Sequence, residues 1–192
     1  DAFYEIVIGG FGPSSSSNEI FAINHDGTDV ENFPLVIGEK IRSGVALADF
    51  KDNGLDDIVF GTDSNNLYLV YDSGVIADGF PVNVNDKVQT EPSIIDFNGD
   101  KIIFAGSKDD NLYSIDASGE IQFIIETGGN IYVSPSFIDT DQGLMIFFAS
   151  TDGMIYSIDI NGNPFEGWPR DVNGECIESI VFGDLDGDGA HE

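Results

Sequence analysis

Apolar residues in this chain fall in short runs of four to seven positions, rich in β-branched and aromatic side chains and bounded by turn chemistry. Four kinds of run recur in a fixed order. The first, A, covers residues 44–48, 92–95, 134–138 and 179–182; the second, B, covers 6–8, 58–60, 102–104 and 145–148. The third, C, reads aromatic, any, aliphatic, polar or Tyr, two residues, Gly, and occurs at 21–27, 68–74, 113–119 and 156–162. A weaker run, D, lies near Phe33-Pro34, Phe80-Pro81 and Trp168-Pro169. No segment keeps a helical period over a useful length, so the pattern predicts strands. The pairs Asp26-Gly27, Ser73-Gly74, Ser118-Gly119 and Asn161-Gly162 supply the positive φ that tight hairpins need.

The aromatics that open run C, Phe21, Tyr68, Tyr113 and Tyr156, stand 47, 45 and 43 residues apart. A period of this size means one supersecondary unit stacked beside copies of itself. Four strands in about 45 residues is the size of one propeller blade. The expected fold is therefore all-β: a β-propeller of four-stranded antiparallel blades. The 192 residues form one domain or segment, with repeats at 1–48, 49–95, 96–138 and 139–192. The first unit has B, C and D but no A, and the last A (179–182) has no B after it. Either that strand completes the first blade and closes a ring of four, or the array is a segment of a larger propeller. The cut falls in mid-turn, which favours a piece of a larger, multidomain chain.

The formal charge is −28, from 7 basic and 35 acidic residues. Such a surface repels phosphates, so nucleic acid is excluded as a partner, and it attracts cations. No apolar stretch of about 18 residues occurs, which excludes membrane insertion by a helix. The single cysteine, Cys176, allows no intrachain disulfide.

The acids cluster between A and B. The last turn reads Asp184-Leu185-Asp186-Gly187-Asp188-Gly189-Ala190-His191-Glu192, with carboxylates at positions 1, 3, 5 and 9. Asp184, Asp186, Asp188 and Glu192, with the Ala190 carbonyl and a water, make up the six to eight oxygen ligands of Ca2+. Gly187 and Gly189 let the loop curl. The other three turns are degraded. The turn at 49–57 keeps Asp49 and Asp57 but places Lys51 at position 3, where its ammonium is expected to replace the cation. The turns at 96–100 and 139–143 are too short for the ninth ligand, and no metal is expected there.

These elements resemble FG-GAP or VCBS repeats of the integrin alpha type. The likeness rests on the 184–192 loop, the Ile58-Val59-Phe60-Gly61 strand, the Tyr-x-aliphatic-Asp-x-x-Gly hairpin, and the Gly79-Phe80-Pro81 and Gly167-Trp168-Pro169 ends. The resemblance implies a seven- or eight-bladed ring, calcium between first and second strands, and extracellular binding or adhesion by a secreted or cell-surface protein.

Catalytic constellations are not evident. His25 and His191 sit in no triad or zinc spacing, and residues 14–17 read as a lengthened, flexible loop. Cys176 reads as a small buried or edge residue. Tyr68, Tyr113 and Tyr156 read as core, and Phe33, Phe80 and Trp168 as wedges between blades, or else as platforms for sugars. Tyr71, which stands where its equivalents are Asn24, Asp116 and Asp159, is a candidate surface contact. The leading expectation is a non-catalytic, calcium-stabilised module that binds a protein or a glycan. The alternative is part of a propeller-based polysaccharide lyase or hydrolase, whose chemistry uses paired carboxylates.

Overall fold

The structure, a computed structural model, describes residues 4–185. Its strands form four antiparallel sheets, each built in chain order. The first sheet holds β1 (Ile6–Gly9), β2 (Glu19–Ile23) and β3 (Leu35–Val36). The second holds β4 (Ala46–Ala48), β5 (Asp57–Gly61), β6 (Asn66–Val70) and β7 (Val82–Asn83). The third holds β8 (Ser93–Phe97), β9 (Asp100–Gly106), β10 (Asn111–Asp116) and β11 (Ile121–Glu126). The fourth holds β12 (Ser136–Thr140), β13 (Gly143–Ala149), β14 (Met154–Ile158) and β15 (Arg170–Asp171). Each A run belongs to the sheet of the B, C and D runs that follow it, so β4 lies in the second sheet, slightly ahead of the repeat ranges above.

The sheets stack face to face, which explains why the middle strands show little polar alternation. In β5, Ile58 and Phe60 pack with Ile20, Ala22 and Phe33 of the first unit. Val59 points the other way, into a cluster with Ile103, Ala105 and Tyr113 of the third. A further cluster joins Phe104 and Leu112 to Ile146, Phe148 and Ile158. Phe33 and Phe80 are buried in these junctions, as wedges rather than sugar platforms. Trp168 meets Phe147 edge-on, with ring centroids 5.1 Å apart.

The hairpins after run C are one-glycine turns. Gly27, Gly74, Gly119 and Gly162 have φ of 86°, 76°, 84° and 84°, whereas the residues before them do not enter that region. Gly27 N–H donates to the Asn24 carbonyl, and Asn24 N–H to the Thr28 carbonyl. This is a type I turn followed by a left-handed glycine, not the two-residue turn with two positive φ values. Three of the four units then turn through Phe33-Pro34, Phe80-Pro81 or Trp168-Pro169, all cis, into a two-residue outer strand. The third unit lacks that dipeptide and runs directly into the six-residue β11, with a register shift between Ser114 and Ile115. Residues 14–17, expected as a flexible loop, include a single 3-10 turn (Ser15–Ser17).

The described residues do not close a ring of four. β1 pairs with β2 alone, and the last A run lies elsewhere. Ser93 Oγ donates to the Pro135 carbonyl across 2.7 Å, and Ser136 Oγ donates to the Ile180 carbonyl across 2.9 Å. Phe104 meets Phe137 edge-on at 5.7 Å, and Phe147 meets Phe182 at 5.3 Å. Ile180 and Phe182 therefore sit on the fourth sheet as Pro135 and Phe137 sit on the third. They occupy the place of a fifth inner strand, one unit further along the stack.

Candidate functional site

At one end of the stack lie the A–B turns. Of the predicted calcium ligands, Asp184 lies two residues after the Phe182 anchor and takes the place that Asp49, Asp96 and Asp139 hold in the other units. Asp186, Asp188, Ala190 and Glu192 lie outside the described residues. Their donor set is all oxygen, rich in carboxylate, and so suits calcium rather than zinc. Among the described residues, no three of His, Cys, Asp and Glu gather into a group that could hold an ion.

The loop at 49–57 shows what its acids do instead. Asp49 accepts the N–H groups of Lys51, Asn53 and Gly54 at 3.2, 3.0 and 2.6 Å. Asp57 is fully buried and accepts Phe50 N–H at 3.0 Å and Asp72 N–H at 2.8 Å. Burial pushes the Asp57 carboxyl up, against the pull of those two amides. The loop is thus tied by the amides that its two end carboxylates accept. Lys51, expected to stand in for the metal, acts on the charge of Asp57 at the end of the loop, but its hydrogen-bonded partner lies outside the loop. Its ammonium pairs with Asp72 on the neighbouring hairpin and lies 4.9 Å from the centre of the Tyr71 ring. The covered Tyr71 is half-buried. Lys101 reaches Asp52 at 3.0 Å and Asp96 at 3.5 Å, joining two successive turns.

The hairpin aspartates are used in the same way. Asp116 accepts Ser118 N–H, Ser118 Oγ and Glu120 N–H; Asp159 accepts Asn161 N–H and Asn163 N–H. Partial burial opposes their ionisation, but these donors outweigh it and lower both pKa values.

The opposite end differs. There the connectors between units cross the B–C turns, and each crossing repeats one bond. Asp63 N–H donates to Lys40 O, Lys108 N–H to Lys87 O and Thr151 N–H to Asn130 O, at 2.9, 3.0 and 3.0 Å. Buried hydroxyls of Thr62, Ser107 and Ser150 line the same crossings. Cys176 N–H donates to Ser150 O at 3.4 Å, which places the half-exposed cysteine on a connector.

Four of the seven basic residues, Lys40, Arg42, Lys87 and Lys108, lie on these connectors and turns. The Arg42 guanidinium stacks 4.5 Å from the centre of the Phe11 ring, with the Lys40 ammonium at 5.9 Å. Phe11 is 49% exposed. Arg42 and Gln89 both donate to Asp63 at 2.5 Å. Partial burial opposes the charge on Asp63, but Arg42 and Gln89 outweigh it and hold the carboxyl low. Lys108 lies 5.4 Å from the centre of the Tyr132 ring. The result is a row of aromatic, cationic and amide groups running from Phe11 through Arg42, Asp63 and Gln89 to Lys108 and Tyr132. Sequence reasoning missed this row. Its members are scattered over 122 residues and share no motif; only the concentration of scarce cations near the connectors hinted at it.

No protein-family model matches this sequence, and none of the curated proteins matches it. Solved structures do. The chain resembles BamB from Moraxella catarrhalis with a TM-score of 0.61 at 15% identity, over 87% of this chain and 50% of that one. It resembles BBS1N, solved in complex with ARL6DN, with TM-scores of 0.56 and 0.58 at 14% and 15% identity, over 89% of this chain and 50% of the other. The fold is that of a β-propeller. The chain spans about half the length of the propellers it matches, and its four blades form an open arc among the described residues. None of its described helices is long and apolar enough to cross a membrane.

Proposed function

We propose that this propeller arc is a non-catalytic binding module of a secreted or cell-surface protein, stabilised by calcium in the 184–192 loop. It contacts a protein partner through the connector end. The observation that carries this reading is the exposed Phe11–Arg42 pair within the row that ends at Tyr132. Arg and large aromatic side chains dominate binding energy at protein interfaces, because they bury much area for little conformational loss. The acids that could serve chemistry are held by the amides of their own turns, as Asp49, Asp57, Asp116 and Asp159 show. That BBS1N was solved in complex with ARL6DN agrees with a fold that can present such a surface. A calcium ion in the last loop would cross-link the turn that follows the Phe182 anchor.

Two measurements test this. The chain is screened against purified extracellular protein domains and a glycan array. Binding to a protein, lost in Phe11→Ala and Arg42→Ala with an unchanged melting temperature, is expected. Binding indifferent to both changes, or to glycans alone, removes the reading. Saturating Ca2+ is expected to raise the melting temperature in the wild type and not in Asp186→Ala. An unchanged melt in both removes the calcium part.

A further inference from the structure

The third blade, which is complete and lies between two others, has an outer edge unlike theirs. In the first, second and fourth blades the outer strand, β3, β7 or β15, is two residues long and follows a cis-proline turn. In the third it is β11, six residues long, at the end of the sheet order β11-β10-β9-β8. Thr127 N–H donates to the Asp110 carbonyl at 2.8 Å, and beyond it Asn111 faces Glu126, Leu112 faces Ile125 and Tyr113 faces Ile124. Hydrogen-bonded pairs alternate with non-bonded pairs in an antiparallel ladder. Phe123 and Ile125 therefore turn their backbone groups toward β10, and Ile124 and Glu126 turn theirs outward. Among the described residues, no further strand, loop or turn takes these up.

The side chains leave the edge equally open. Phe123 and Ile125 pack with Phe104 and Leu112, whereas Ile121 and Ile124 are 36% and 48% exposed. Proteins usually blunt such an edge with lysine, proline, a bulge or short length. Residues 117–130 contain no lysine, arginine or proline, and the register shift between Ser114 and Ile115 leaves 123–126 regular. The charges that flank the edge are both negative: Glu120 and Glu126, each exposed.

We infer that β11 is a docking edge for an extended basic segment of a partner protein, which adds to the third blade as a further strand. Main-chain bonds to Ile124 and Glu126 supply affinity, and the exposed Ile121 and Ile124 select apolar residues opposite them. Charge decides the occupant. A second copy would bring the same glutamates, and a charge of −28, against this edge, and like charges placed opposite each other destabilise a strand pair. A segment with lysine or arginine at its ends and apolar residues between them complements both glutamates. Added salt screens that attraction and weakens the complex.

A short synthetic peptide tests the inference, with valine and threonine alternating in its middle and a pair of lysines at each end. When it saturates the chain, amide hydrogen exchange at Ile124 and Glu126 should slow at least tenfold. This readout needs no variant. Binding should weaken at least tenfold in Ile124→Pro, which removes an outward amide that β10 does not use, and circular dichroism should show that variant folded. The same peptide with N-methyl groups along both edges keeps its charge and should not bind. No binding, equal binding of the methylated peptide, or binding that leaves the Ile124 and Glu126 amides exchanging as before overturns the inference. So does light scattering that shows the chain pairing with itself, with the pairing lost in Ile124→Pro.

Discussion

The Tyr113 hydroxyl donates to Asp109 Oδ2 across 2.5 Å, and Tyr156 repeats the bond to Asp152 Oδ2 at 2.6 Å one blade later. In each case the carboxylate also accepts a backbone N–H from the preceding connector, Asn85 at 3.1 Å and Gly128 at 2.7 Å. These two tyrosines of the repeat therefore tie the third and fourth blades to the connectors that precede them.

Alkaline stability should report these phenols. Burial first, and then the facing carboxylate, pushes Tyr113 up to about 12. Burial and Glu39 push Tyr68 to about 12, and burial and Asp152 raise Tyr156 as well. The folded chain then holds protons that the unfolded chain releases near pH 10. The stabilisation is complete below pH 10 and is lost as pH rises toward 12. Urea midpoints across that range, followed with tyrosinate absorbance, should fall together. Tyr113→Phe should flatten part of the fall and cost about 1.5–3 kcal/mol at pH 7, the range for a bond to a charged acceptor.

Asp57 is the second test. Its carboxylate alone satisfies Phe50 N–H and Asp72 N–H within the protein. Asp57→Ala leaves both amides unpaired in a buried site, at a cost of about 2–4 kcal/mol. Asp57→Asn keeps one carbonyl acceptor and should cost less. Chemical denaturation of the two variants gives the order, and equal losses would show that the amides are not the cause.

Two glycines with similar backbone angles should respond differently to alanine. Gly27 and Gly79 have φ of 86° and 84°. A Cβ at Gly27 meets nothing within 4 Å, whereas one at Gly79 would come within 1.9 Å of the Ser118 carbonyl oxygen in the next blade. Gly27→Ala should cost about 1–2 kcal/mol, for the left-handed backbone alone. Gly79→Ala should cost about 3 kcal/mol or more, since overpacking adds to the same backbone term. Thermal melts of the pair decide the matter.

Salt should stabilise the chain independently of calcium. A charge of −28 on 192 residues repels itself in the compact state. Raising NaCl from about 0.01 to 0.1 M, with a chelator present, shortens the screening length from about 30 to 10 Å. The melting temperature should rise over that range. A flat or falling melt would mean that local pairs such as Arg42–Asp63 outweigh the net repulsion.

The strands of runs B and C, and of the first three A runs, were legible with their order because they rest on local rules, whereas residues 179–182, expected as a fourth A strand, form no strand. Apolar runs such as 58–60 and glycines such as Gly74 act within a few residues of themselves. The third outer strand was not legible: Ile121–Glu126 lacks the aromatic–proline marker that locates the others. Lys51 was legible in its turn, but its hydrogen-bonded partner was not. Asp72 is 21 residues away and comes near only when β5 and β6 pair.

Sequence alone therefore determined the repeat, the strand class and the acidic turns, since short-range patterning and turn chemistry act along the chain. The tertiary structure decided which hydroxyl meets which carboxylate, how Phe11, Arg42 and Tyr132 come into one row, and where Ile180 and Phe182 lie. Those relations join residues of different blades, and only the stacking of the sheets sets the distances between them.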